Sequence, residues 1–174
     1  MIEKFDIYNA QKVKIGTGHP RGTALPKGQY RFVATVVIYN SKGELLLQKR
    51  TAMKKSWANY WTFGASGSVI AGETVAEGAR RELLEELGLD IDLMEVPSRL
   101  TVSFDEGWDE IWIIKHDAAL SDLTLQAEEV SEAAWFGRED YFRLLENNQA
   151  IPHVYAREIF DYIESNDEYL PQKK

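Results

Sequence analysis

Three glutamates, Glu82, Glu85 and Glu86, crowd into the segment GSVIAGETVAEGARRELLEELGLD, residues 67–90. Like charges three or four residues apart on a helix repel, each pair by about 0.2–0.5 kcal/mol. A hard divalent cation would turn that repulsion into binding energy. Magnesium takes carboxylate and phosphate oxygens and keeps several waters, so protein carboxylates and a diphosphate complete its shell. Held there, it polarises a phosphoryl group and activates water. The competing reading is a solvated, glutamate-rich face, since Glu is a good helix former. The surrounding residues decide between them.

The segment carries its own start and stop signals. Thr74 followed by Glu77 forms a capping box, and Gly88 stands where a left-handed C-terminal cap is expected, predicting a helix over about Thr74–Leu87. At about 100° per residue, Ala76, Ala79 and Leu87 fall within about 40° of Leu83 and form the buried stripe. Glu82, Glu85 and Glu86 span an arc of about 100° beside it. The helix thus packs by one face and presents three carboxylates at the core's edge. Arg81 and Glu73 are read as structural, holding the preceding loop against the helix.

The rest of the chain must position this platform. Its 174 residues, 44% hydrophobic and 28% charged, suffice for one ordinary domain, here residues 1–174. A net charge of −8 argues against a broad grip on nucleic acid or a membrane surface. With no cysteine, disulfides, thiolate zinc sites and a cysteine nucleophile are excluded. The N-terminus has no apolar signal region, and FVATVVIY is far too short to span a bilayer, so a cytoplasmic setting is expected. Residues 1–30 read as a hairpin (3–16) followed by a loop (17–29). FVATVVIYN and ELLLQKR flank Ser41-Lys42-Gly43 as a second hairpin, the first strand buried on both faces. Further strands are predicted near Ser98–Phe104, Glu110–His116 and Ala133–Phe136. Helices are predicted near Arg138–Asn147 and Pro152–Glu164, the latter with Pro in its first turn. Residues 165–174 read as a frayed tail. Strands and helices mix without a regular βαβ repeat, which predicts an α/β fold with a mixed central sheet.

The spacing Gly67, Glu73, Arg81-Glu82-Leu83, Glu85-Glu86, Gly88-Leu89 resembles, at every specified position, the motif of the Nudix hydrolases. The likeness extends over about residues 30–165 and implies an α/β/α sandwich that hydrolyses a nucleoside diphosphate linked to another group. It implies Mg²⁺, or Mn²⁺, held by Glu82, Glu85, Glu86 and the Gly67 carbonyl. Glu82 is an alternative base toward water. Asp105, Glu106, Asp109 and Glu110 are the candidates on a later loop or strand, Glu110 being favoured.

Upstream, PKGQYRF and ELLLQKRTAMKKSWANYWTFGASGS are similar to the isopentenyl-diphosphate isomerase-like branch, in which basic residues after the second strand grip a diphosphate. Arg50 and Lys54 stand at those places and suit phosphate oxygens. The isomerase's catalytic cysteine is replaced by Ser66, and two of its metal-holding histidines by Ser68 and Arg31, which argues for hydrolysis. The rivals are a Nudix domain that binds a nucleotide or diphosphate without cleaving it and, more remotely, the isomerase itself. A homodimer is compatible with the resemblance. Trp57, Tyr60, Trp61 and Phe63 read as core closure under a loop, or as a stacking platform for a base.

Overall fold

The computed structural model describes residues 2–165, so the predicted tail lies outside the described residues except for Ser165. The chain opens with an antiparallel hairpin of β1 (Lys4–Tyr8) and β2 (Lys14–Pro20). The second strand runs further than predicted, because His19 and Pro20 pair back on Phe5 and Lys4. A seven-stranded sheet follows, from β3 (Arg31–Tyr39), β4 (Leu45–Arg50), β5 (Trp61–Phe63), β6 (Ala65–Ser68), β7 (Leu100–Phe104), β8 (Gly107–Lys115) and β9 (Val130–Phe136). It is mixed, as predicted: β3 and β8 are parallel, and the other ladders are antiparallel.

Both faces of this sheet are covered. Phe32, Ala34, Val36 and Ile38 of β3 pack with Leu46 and Trp112 beneath Ala79, Leu83 and Leu87 of α1 (Val75–Leu87). The alternate residues Val37 and Tyr39 join Leu45, Leu47, Ile111 and Ile113. That second layer is closed by Tyr141 of α2 (Arg138–Glu146) and by Ile159, Phe160 and Ile163 of α3 (Ala156–Ser165). β3 buries both faces because α-helices stand on either side, which explains its nearly unbroken apolar run. Among the described residues no helix is long and apolar enough to cross a membrane.

Two predicted boundaries and one predicted pairing shift, each for a physical reason. α3 begins at Ala156, after Pro152, because Ile151 N–H donates to Trp61 O (2.9 Å) and so holds residues 150–151 against β5. β8 starts at Gly107, since only Asp105 and Glu106 are needed to turn from β7. β3 and β4 pair only at Tyr39 and Leu45, next to their turn, instead of along a full hairpin. They then diverge, β4 toward β5 and β9, β3 toward β6 and β8.

Gly64 spans that divergence. β5 pairs with β4, the chain turns at Gly64, and β6 pairs with β3. Gly64 has φ +24°, and a Cβ there would lie 1.9 Å from Val36 O. Its N–H donates to Leu46 O at 3.0 Å, so it is tied to both halves of the sheet. Gly64→Ala combines a left-handed backbone with a main-chain clash. We expect it to lower unfolding free energy by at least about 2 kcal/mol in urea titration; an unchanged midpoint would mean the switch tolerates a side chain.

Candidate active site

The α1 cap is the one the sequence specifies. Thr74 Oγ1 accepts from Glu77 N–H (3.2 Å), and the Glu77 carboxylate accepts from Thr74 N–H (2.7 Å). Gly88 closes the helix at φ +72°, and a Cβ there would lie 2.7 Å from Thr124 Cβ. Leu87 and Glu86 carbonyls, left without intrahelical partners, accept from Thr124 N–H (3.0 Å) and Gln126 N–H (3.2 Å). The segment before β9 is therefore laid along the helix end.

The three carboxylates differ in surroundings. Glu86 is 4% exposed, and its Oε2 accepts from Gln48 Nε2 (2.6 Å) and Ser66 N–H (3.2 Å). Burial, and then repulsion from Glu82, push its carboxyl up to about 8. Glu82 is largely buried, and burial raises its pKa too. Its carboxyl group occupies the space a side chain at Gly67 would need: a Cβ there would fall 2.0 Å from Glu82 Oε1. Glu85 is about half exposed at the rim.

Arg81 joins these parts. Its Nε and Nη2 donate to the two Glu73 oxygens (2.7 and 3.1 Å), Nη2 also to Ser68 O (3.1 Å), and Nη1 to Glu82 (2.8 Å) and Glu85 (3.2 Å). Glu73 in turn accepts from Ile70 N–H at 3.0 Å. Burial works against the Arg81 charge, and the carboxylates around it more than compensate, raising its pKa.

Gly67, Glu82, Glu85 and Glu86 line one cavity of about 140 Å³, and Arg50 and Lys54 line it as well. Arg50 Nε donates to Ser56 O (3.3 Å), and Lys54 is ion-paired with Glu129. Glu129 and Gln126 complete the same wall and were missed from sequence. Their signal was weak: an acidic pair, Glu128-Glu129, with no helix or motif around it. Glu129 also helps raise the pKa of Glu86.

Glu110 is not brought to this cavity. Gly67, Ala34 and Glu110 lie side by side across β6, β3 and β8, so two strand spacings, roughly 10 Å, separate the outer pair. The Glu110 carboxylate accepts instead from Lys12 Nζ (2.7 Å), Ser98 Oγ (2.7 Å) and Thr101 Oγ1 (2.9 Å). Burial works to raise its pKa, but these donors hold it below the usual value. Asp105 occupies the β7–β8 turn, and Glu106 faces Arg31 at 3.6 Å. Trp61 and Phe63 are core; Trp57 is exposed and packs edge-on to Tyr60, 5.1 Å between centroids. Trp112 is buried, its indole donating to Val96 O.

The donor set suits a hard divalent cation in kind: carboxylates at graded depth, a carbonyl-bearing glycine packed against one of them, and the cations Arg50 and Lys54 lining the same cavity. Among the described residues, no group of three or more His, Asp or Glu side chains is arranged to hold a metal ion.

Residues 29–157 match the family model described as NUDIX domain. The Nudix hydrolase lmo0368 of Listeria monocytogenes is 40% identical over 160 residues, covering 92% of this chain and 95% of that protein. An isopentenyl-diphosphate Delta-isomerase of Photorhabdus laumondii is 27% identical, with 81% of each chain covered. The crystal structure of DR0079 from Deinococcus radiodurans superposes with a TM-score of 0.72 at 22% identity, over 90% of this chain and 97% of that one. The chain belongs to the Nudix family. Its class is that of the Nudix-type pyrophosphohydrolases, its fold an α/β/α sandwich.

Asp109 faces the other layer. The Thr35 hydroxyl, 2.9 Å from Ser66 Oγ, donates to Asp109 Oδ2 (3.0 Å), and Tyr155 approaches the same oxygen at 3.4 Å. Oδ1 is buried without a partner. Burial, with repulsion from Glu110, pushes this carboxyl up to about 6 against the donors' pull. A raised acid stabilises the fold below its unfolded pKa of about 3.9, and that contribution is lost as pH rises through about 6. Asp109→Asn should therefore gain stability over the wild type between pH 4 and 7. Urea unfolding across that range checks it; a pH-independent difference would sink it.

Proposed function

We propose that the chain is a single Nudix domain and a Mg²⁺-dependent hydrolase. Its substrate is a nucleoside diphosphate-X or related small metabolite, cleaved at the diphosphate bond. The observation carrying this reading is the convergence of Glu82, Glu85, Glu86 and Gly67 on one small cavity that Arg50 and Lys54 also line.

Glu82, Glu85, Glu86 and the Gly67 carbonyl would hold the metal, with Mn²⁺ fitting the same oxygen donors. The bound cation supplies Lewis-acid polarisation of a phosphoryl oxygen and a water of lowered pKa. Arg50 and Lys54 bind the phosphate oxygens away from the helix and hold the diphosphate in line for attack. Lys54 leaves Glu129 to do so, which frees a carboxylate beside the cavity. We therefore move the water-orienting role from Glu110 to Glu129, with Glu82 as the alternative, since both line the cavity and Glu110 does not. Glu73, Arg81 and Gly88 act by holding the loop and helix in register.

The isomerase relatives share this lineage, but the residues of the site favour neither rival. A binder has no need of a carboxylate as deeply buried as Glu86 beside Glu82. For the isomerase, Ser66 stands at the cysteine place, and the two histidine places are filled by an Arg31–Ser68 hydrogen bond of 3.0 Å.

Release of phosphate or nucleoside monophosphate over a substrate panel tests the proposal. Glu85→Gln and Glu86→Gln should each lower kcat by at least about 100-fold, and chelation should abolish turnover until Mg²⁺ is restored. Arg50→Ala should act chiefly on KM. Binding across the panel without any turnover would leave the binding domain standing instead. For Glu129→Gln we expect a lowered kcat, with Glu110→Gln within about threefold of wild type; the reverse ranking would return the role to Glu110.

A further inference from the structure

Gln48 is a buried polar side chain to which the proposed chemistry gives no part. It stands on β4, opposite Thr62 of β5 and Ala133 of β9, and is 2% exposed. Leu46, two residues earlier, packs in the layer beneath α1, and strand alternation puts Gln48 on the same face. Its Nε2 donates to Glu86 Oε2 at 2.6 Å. Its Oε1 is buried and has no hydrogen-bond partner. An amide with one idle buried acceptor costs stability that an apolar side chain of similar volume would not. The fold alone gives no reason for a glutamine at this position.

The reason lies on Glu86. Its two protein donors, Gln48 Nε2 and Ser66 N–H (3.2 Å), both meet Oε2. The structure gives Oε1 of Glu86 no donor, and Glu86 lines the carboxylate cavity. The two carboxylate oxygens are therefore unequal. Oε2 is tied to β4 and β6, two strands of the sheet, and Oε1 is left to the cavity. A cation bound there keeps Glu86 ionised, and an ionised carboxylate only accepts. The Gln48 amide must then face it with its N–H₂ group, because the reverse orientation would set two acceptors against each other. The idle Oε1 of Gln48 follows from that demand.

We propose that Gln48 is a positioning residue for the metal: with the Ser66 N–H it holds Oε2 of Glu86 and so presents Oε1 to the divalent cation. It acts through Glu86 and touches neither metal nor substrate. Groups that hydrogen-bond a ligating carboxylate orient it, and their loss weakens metal binding by about 10–100-fold. The inference deepens the hydrolase reading and rests on it for the cation; it adds which Glu86 oxygen coordinates and what restrains the other.

Mn²⁺ binding in the absence of substrate, followed by electron paramagnetic resonance, tests it. Gln48→Met and Gln48→Leu remove the donor and the idle acceptor together. Each should weaken Mn²⁺ binding by about tenfold or more, with a urea midpoint no lower than that of wild type. In a Glu86→Gln background, Gln48→Met should change the affinity by less than about twofold, whereas in a Glu85→Gln background it should keep its full effect. Unchanged affinity in the Gln48 variants, or equal weakening with and without Glu86, overturns the proposal. A second measurement needs no variant. The Gln48 side-chain proton directed at Glu86 should keep its hydrogen-bonded NMR shift when wild type is saturated with Mg²⁺; its return to the ordinary amide range would place the cation on Oε2 and sink the assignment. Wild type that binds no Mn²⁺ overturns the metal reading itself. Mn²⁺ binding that ignores Gln48 overturns this inference alone.

Discussion

The Arg81 guanidinium touches four groups drawn from three parts of the chain: Glu73 in the loop, the Ser68 carbonyl at the end of β6, and Glu82 and Glu85 on the helix. A charge this withdrawn from water is tolerable only when paired and hydrogen-bonded. Each partner depends on the others, since removing one member of such a group leaves the remaining charges less well compensated. This mutual dependence keeps β6, the loop and α1 at one spacing. It is also what allows Glu82 to rest in the space that Gly67 leaves open. Three carboxylates can then sit at the core's edge without splaying apart.

The other walls of the cavity depend on α1 through its ends. Gly64 carries the chain from β4 to β3, and within three residues Gly67 lies under Glu82. At the C-terminus, the last carbonyls of the helix need donors, and Thr124 and Gln126 provide them. Satisfying those backbone groups brings Glu129 to the cavity and to Lys54. Helix termination and site assembly are thus the same set of hydrogen bonds.

Local patterns were legible in the sequence because they rest on short-range physics. The capping box, the Gly88 stop, the glutamate arc and the nearly all-apolar β3 each follow from residues within a turn or a strand of one another. Arg50 and Lys54 were legible through resemblance, and they do line the cavity. What failed were non-local consequences. The β3–β4 hairpin opened because β4 takes β5 and β9 as neighbours, which the turn sequence cannot announce. α3 lost its first turn to the hold of Trp61 on Ile151. Glu110, favoured through the resemblance among the acidic residues of a later loop or strand, has its carboxylate drawn toward the hairpin by Lys12, 98 residues away. Glu129 is faint in the sequence because its place follows from Gln126, which donates to the Glu86 carbonyl and accepts from Glu129 N–H (2.9 Å).

The positions that separate this chain from the isomerase pattern bear on which chemistry the fold can host. Ser68 and Arg31 stand where that pattern has metal-holding histidines, and they are hydrogen-bonded to each other. A guanidinium provides one fixed positive charge and only donors, with no vacant coordination position for water or a phosphoryl oxygen. It can orient a ligand but cannot act as a Lewis acid. Ser66 is similarly committed: its N–H donates to Glu86, and its hydroxyl lies against Thr35. A serine hydroxyl also lacks the thiol's accessible ionisation. Neither the Ser68 nor the Arg31 position therefore supplies the imidazole donors of the isomerase pattern.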